Sequence, residues 1–271
     1  MDAIANAPVV EIGQFEWTIT DVIDMRNSAR PYLFGNLTKY SRVGEVTVVD
    51  EPAKQQLRAE APYLLEASAP FVYLPDFSGL AFLQVWNGIQ ENVFPRRFKS
   101  IIEAAYGNFF VDCTVDPVTD YRAFLDKLQS LDVINELSAK VHPPNPLFGR
   151  LWGSLDKYVR RRHAEEVVVR EATSKPEGLE TKLLELMEKI LANPQFEPEE
   201  EPDITDAAIL MAADGYGSGK AVGTENGHEV VIRTSETQKS FLFEKKPDPD
   251  MLAAVARNQF ENISDERDMR H

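Results

Sequence analysis

Read for the alternation of apolar and polar positions, the chain opens with short β segments. Gln14–Ile19, Glu45–Asp50, Pro70–Leu74 and Leu80–Trp86 are rich in β-branched or aromatic residues, and turn residues such as Pro75-Asp76 and Ser78-Gly79 part them. The last two runs predict a hairpin. Helical spacing follows over Val93–Tyr106, where Phe94, Phe98, Ile101, Ile102 and Ala105 share a side and Gly107-Asn108 supplies a stop. Phe109–Val115 returns to strand. Thr119 then caps a predicted helix whose Tyr121, Phe124, Leu125 and Leu128 form one apolar face. Val133–His142 reads as a strand with Val133, Leu137, Ala139 and Val141 on one side.

Three prolines between His142 and Pro146 impose an extended connector, because they remove backbone donors and restrict their predecessors. Beyond it, Phe148, Leu151, Trp152, Leu155, Tyr158 and Val159 define an amphipathic helix, and Val167–Val169 a strand. Leu179, Leu183, Leu186, Met187 and Ile190 mark another helix, and Ile204–Ala213 a short one. Three strands are expected around Gly219–Gly223, His228–Thr234 and Lys239–Glu244, with Asn226-Gly227 turning the first pair. Pro249, after Asp248, opens a last helix containing Met251, Leu252 and Val255.

This order fits an α+β class: mixed or antiparallel sheets with helices packed on one face, with room for two βα sandwich subdomains. The expected division is 1–130 and 131–261, with an acidic linker or loop at 194–203 and a polar, frayed tail at 262–271. Between Pro176 and Asp206 ten acidic residues face two lysines, which is the basis for reading Glu197–Asp203 as a mobile, solvated run.

Composition narrows the function classes. A net charge of −15 over 271 residues disfavours non-specific attraction to nucleic acid or to anionic membrane. The single cysteine, Cys113, rules out an intrachain disulfide and reads as a small core hydrophobe. The first residues lack a basic region followed by an apolar core, and no apolar run approaches the roughly 20 residues of a membrane span. A cytoplasmic protein without membrane insertion is expected.

Motifs for catalysis fare poorly. Asp214–Lys220 is rich in glycine, but Gly215 stands one residue too close to Gly219-Lys220 for a phosphate loop, Ala221 replaces the Ser or Thr that would reach magnesium, and a strand follows where a helix should. Asp112 and Asp116 fall on one side of a predicted strand, about 13 Å apart, too far to share a proton or a metal. His142, His163, His228 and His271 form no pair at metal-ligand spacing, and no Gly-x-Ser-x-Gly elbow occurs. No catalytic residue, metal or cofactor is assigned.

One stretch departs from the acidic background. Lys140–Lys175 holds eight Lys or Arg against four acids, a net +4 within a chain of −15. On the expected helix Arg150, Ser154, Lys157 and Arg161 recur in one stripe opposite Trp152, with Arg160 beside them. Lys140 and His142 share one side of the preceding strand. Such a surface can hold phosphate oxygens or an acidic protein face, or it can be a solvated helix side balanced by Asp156, Glu165 and Glu166. A second cluster, Arg96, Arg97 and Lys99, begins another helix, where cations oppose the dipole.

Four segments carry a resemblance: Tyr106–Asp112, the helix from Thr119, the strand ending in Val141–Pro146, and the meander opened by Ala213–Gly217. Over roughly residues 70–245 their order is similar to that of uncharacterised bacterial and prophage proteins and resembles that of RexA-like phage-exclusion proteins. The resemblance implies a sensor or interaction protein of phage defence that self-associates and binds nucleic acid or a protein partner. Two other classes stand beside it: a metal-dependent nuclease component with carboxylates drawn from separate segments, and an acidic inhibitor that imitates nucleic acid.

Overall fold

The computed structural model describes residues 1–109, 113–143, 150–244 and 246–267. In chain order its elements are α1 (Asp2–Ala5), β1 (Val10–Ile12), β2 (Phe15–Asp24), β3 (Leu33–Asp50), β4 (Gln55–Leu74), β5 (Gly79–Phe82), α2 (Phe94–Ala105), α3 (Tyr121–Gln129), β6 (Val133–Val141), α4 (Gly153–Arg162), β7 (Val167–Ala172), α5 (Leu183–Ala192), α6 (Ile204–Ala213), β8 (Gly217–Glu225), β9 (His228–Arg233) and α7 (Pro249–Arg267). All strand pairs among the described residues are antiparallel, and the class is α+β, as the sequence implies. The chain forms two compact units, Met1–Val115 with Leu242–Glu261, and Asp116–Phe241 with Asn262–His271.

The division expected at residue 130 falls inside the second unit, between α3 and β6. The cause is the apolar face of α3: Tyr121, Phe124, Leu125 and Leu128 are buried in one cluster with Leu137, Leu183, Met187 and Ile209. A face of that size joins the layer it packs on.

The first unit is a five-stranded sheet in the order β1-β2-β3-β4-β5. On one face Trp17, Ile19, Leu33, Leu37, Ala69 and Phe71 are buried with Phe94, Phe98 and Ile101 of α2. Phe71 meets Phe94 and Phe98 edge-on, with centroids 5.7 and 5.4 Å apart, a favourable quadrupole geometry. The α7 helix is tied to this unit by Arg257, whose guanidinium lies 2.7 Å from Asp76 and donates to the Pro31 carbonyl at 2.8 Å. Tyr32 donates to Asp250 at 2.5 Å, and burial with that carboxylate pushes its phenol up to about 12. Gly79 is required where Phe260 crosses, since a Cβ there would stand 2.6 Å from the ring.

Two strands overshoot this sheet. β3 has 18 residues and β4 has 20, paired from Leu33–Tyr73 out to Asp50–Gln55, whereas β2 accompanies β3 only as far as Tyr40 and β5 pairs only with Phe71–Leu74. Beyond Tyr40 the hairpin continues as a two-stranded ribbon. At its root Arg42 pairs with the buried Glu16 carboxylate, and Tyr40 lies against Tyr63.

The second unit is a four-stranded sheet in the order β7-β6-β8-β9. One face is covered: α6 is buried along its whole length among Leu137, Ala139, Val141 and Ala221. The Gly-rich segment forms β8, and Gly219 lets α6 approach, since a Cβ there would stand 3.2 Å from Ile209 and 3.3 Å from Ala212. Asn226 and Gly227, both at positive φ, make the β8–β9 turn.

Several local expectations are corrected. Asp120, not Thr119, caps α3, accepting from the Ala123 amide at 3.1 Å, while the Thr119 hydroxyl donates to the Thr234 carbonyl. Cys113–Val115 is not strand, and the Phe110–Asp112 part of that run lies outside the described residues. The third meander strand is missing among the described residues: Thr234–Thr237 is a 3-10 turn, and Gln238 makes only an isolated bridge to Thr119. Helix α7 continues through Arg267, where a frayed tail is expected. Asp268–His271, Pro144–Gly149 and the side chain of Arg150 lie outside the described residues.

Candidate partner-binding surface

Helix α4 positions the basic residues. Leu155 is fully buried in the cluster that holds Leu137, Ala139 and Val141, and Trp152 and Val159 pack partly buried against it. The apolar side of the helix is thus inward, as its spacing implies, and Lys157, Arg160, Arg161 and Arg162 are exposed. His163 closes the helix in the left-handed conformation, a common end for a helix.

The expected stripe does not survive as four free positions. Lys157 lies 2.6 Å from Glu201, and the Ser154 hydroxyl donates to the Pro202 carbonyl at 2.6 Å. Lys182 reaches Glu200 at 3.2 Å. The acidic residues of the run are solvent-exposed, as expected, but its second half is tied to the unit through Glu200, Glu201 and the Pro202 carbonyl. Lys140 is paired with Glu166 at 2.8 Å, and His142 faces the same carboxylate at 3.7 Å. Arg160 is bound to Asp156 at 2.8 Å. Arg96 donates to the Asn92 carbonyl, and Arg97 lies over the Trp17 ring, 5.2 Å from its centroid. Both belong to the first unit, and that second basic cluster is a local feature of α2.

What remains is the last turn of α4. Among the described residues neither Arg161 nor Arg162 has a carboxylate partner, and both guanidiniums lie 5.9 Å from the centroid of the Tyr158 ring. Tyr158 packs partly buried against the core, so the guanidiniums over its ring are the outward part of the group, able to hold an anion and to offer a planar cation for stacking. Arg162 and Tyr158 are not among the residues the stripe singles out, although their i, i+4 relation is readable in the sequence.

The open face of the second sheet is polar in a different way. Directly opposed pairs place Arg170, Ser138, Lys220 and Arg233 in one row across all four strands. Glu136 neutralises two of them, with Arg170 at 2.5 Å and Lys220 at 2.6 Å, and their hydrogen bonds hold its carboxyl down to about 2. Arg233 pairs with Glu236 at 2.9 Å. This face is closed by its own ion pairs.

Other candidate chemistry resolves into structure. Asp206 is buried, which raises its carboxyl, and it accepts from the Thr181 hydroxyl at 2.5 Å and the Lys182 amide at 3.0 Å, joining the start of α5 to α6. Among the described residues no group of three His, Cys, Asp or Glu is placed to hold a metal, and Asp112 lies outside them. Nor is any helix among them long and apolar enough to cross a membrane.

Fold and surface together define a two-unit α+β protein with an uncompensated basic turn among its described residues. The chain belongs to the family described as a domain of unknown function, DUF4747, whose model matches residues 4–195. No curated protein and no solved structure matches it.

Proposed function

We propose that this chain is a binding protein of a prokaryotic phage-defence or phage-exclusion system, and that it holds single-stranded nucleic acid on the last turn of α4. The observation that carries the binding reading is the group Tyr158, Arg161 and Arg162: two arginines without carboxylate partners among the described residues, set beside one aromatic ring. Stacking of a base on the guanidiniums that cover the partly buried ring, and pairing of phosphates with the same guanidiniums, would use both features, and each stacked base contributes about 1–3 kcal/mol. The defence context draws its support from the resemblance in segment order.

An acidic protein face is the competing partner. The net charge of −15 favours it no more than nucleic acid, since either polyanion meets the same long-range repulsion. Stacking tips the choice, because carboxylates gain nothing from it. The test is direct titration of a labelled single-stranded oligonucleotide with the full chain. R161E/R162E is expected to weaken binding about 10- to 100-fold, and Y158A less. Binding unchanged by the double substitution, or no binding by the unaltered chain, contradicts the proposal.

A further inference from the structure

Among the described residues, the ribbon formed by the outer halves of β3 and β4 has no covering layer. On one of its faces the opposed pairs Gly44–Ala61, Val46–Ala59 and Val48–Leu57 are all apolar. Val48 and Leu57 are 42% and 46% exposed. The other face alternates, with Glu45–Glu60, Thr47–Arg58 and Val49–Gln56 opposed. An isolated two-stranded ribbon is marginal in water, and its long unpaired edges are templates for another strand.

We infer that the outer edge of β4 pairs antiparallel with the same edge of a second copy of this chain, in the register centred on Ala59. The charge pattern of the edge selects that occupant. In this register each Arg58, whose own-chain contact is a long and exposed one to Glu45 at 3.6 Å, stands directly opposite the Glu60 of the other copy, on one face of the new sheet. On the other face Leu57 of each copy stands beside Ala61 of its mate, so the two apolar rows join. Opposite charges and apolar pairs at directly opposed positions are the stabilising units of a sheet. A twofold axis supplies each contact twice.

Net charge points the same way. Residues 41–65 carry three Lys or Arg against four acids, −1 within a chain of −15, so two highly acidic molecules meet here with little local repulsion. Among the described residues β5 pairs only with Phe71–Leu74 and this edge has no neighbour, while Pro62, which has no amide hydrogen, limits the pairing on one side. The inference does not depend on the α4 turn.

The test is the oligomeric state of the full chain by sedimentation velocity, in three forms, with melting temperature as the folding control. The unaltered chain is expected to dimerise below roughly 100 µM. R58E, which sets a carboxylate against Glu60 of the other copy at both symmetric positions, is expected to weaken association about 10- to 100-fold with an unchanged melting temperature. R58E/E60R, which reverses both charges, is expected to restore it. A monomeric unaltered chain, an unaffected R58E, or a double substitution that fails to recover association each overturns the inference.

Discussion

Two sheet surfaces that the described residues leave uncovered differ in kind. The open face of the β7-β6-β8-β9 sheet carries a row of cations that Glu136 and Glu236 neutralise, a surface finished for water. The ribbon extending from β3 and β4 presents valine, leucine and alanine pairs instead, on strands whose edges have no neighbour among the described residues. A sheet face without a helical layer can be stable if it is polar, or if something else covers or extends it. The first solution needs no partner, and the second is the one on which the inferred pairing of two copies rests. The basic turn of α4 is a third surface, charged yet not neutralised by the described residues of its own unit.

The largest effect that sharpens this contrast lies within β4 itself. Phe71→Ala, in the covered half of the strand, should cost about 3–5 kcal/mol in chemical denaturation, because it opens a cavity between Phe94 and Phe98. A small cost would mean that the first sheet has no well-packed layer, and the distinction between covered and uncovered halves would fall.

A smaller effect is expected on the neutralised face. Glu136→Gln should lower the melting temperature by roughly 2–4 °C at neutral pH, since the ion pairs are partly exposed. The carboxyl of Glu136 is depressed to about 2 in the folded chain, so its stabilisation is present above the unfolded value near 4.5 and is lost as pH falls through the folded one. The difference between the two proteins should therefore shrink from about pH 5 to about pH 2 and vanish below it. A difference that is constant with pH would show that the ion pairs are not what finishes this face.

The smallest effect belongs to the ribbon. Leu57→Ser in the monomer should change stability by less than about 0.5 kcal/mol, because a half-exposed side chain without a covering layer leaves little to lose. A cost of several kcal/mol in dilute protein would mean that the ribbon packs on its own chain.

The sequence made some of this legible. Helices with a one-sided apolar face, α2, α3 and α4, stand where their 3.6 spacing puts them, because burial of one stripe is both the signal and the cause of the fold. Only one strand of the ribbon was readable: Glu45–Asp50 is expected as strand and lies in β3, whereas its partner was missed. Gln55–Pro70 is rich in Gln, Ala, Leu and Glu, which favour helix, and only its pairing with β3 makes it strand. The basic residues of 140–175 were visible as a net +4, and two of the named counter-charges, Asp156 and Glu166, do pair with Arg160 and Lys140; Glu201 and Glu136, which neutralise Lys157 and Arg170, lie outside that stretch. Charge counted along a chain cannot show which cations the fold leaves unpaired.

The salt dependence of oligonucleotide binding tests the proposed function most directly. Each neutralised phosphate of a single strand lowers the slope of log K against log salt by about 0.7, so two arginines account for about 1.4. The full chain should lose affinity steeply as salt rises, and R161E/R162E should flatten the slope by that amount. A slope unchanged by the double substitution, or an affinity indifferent to salt, would contradict the assignment of the α4 turn as a nucleic-acid surface.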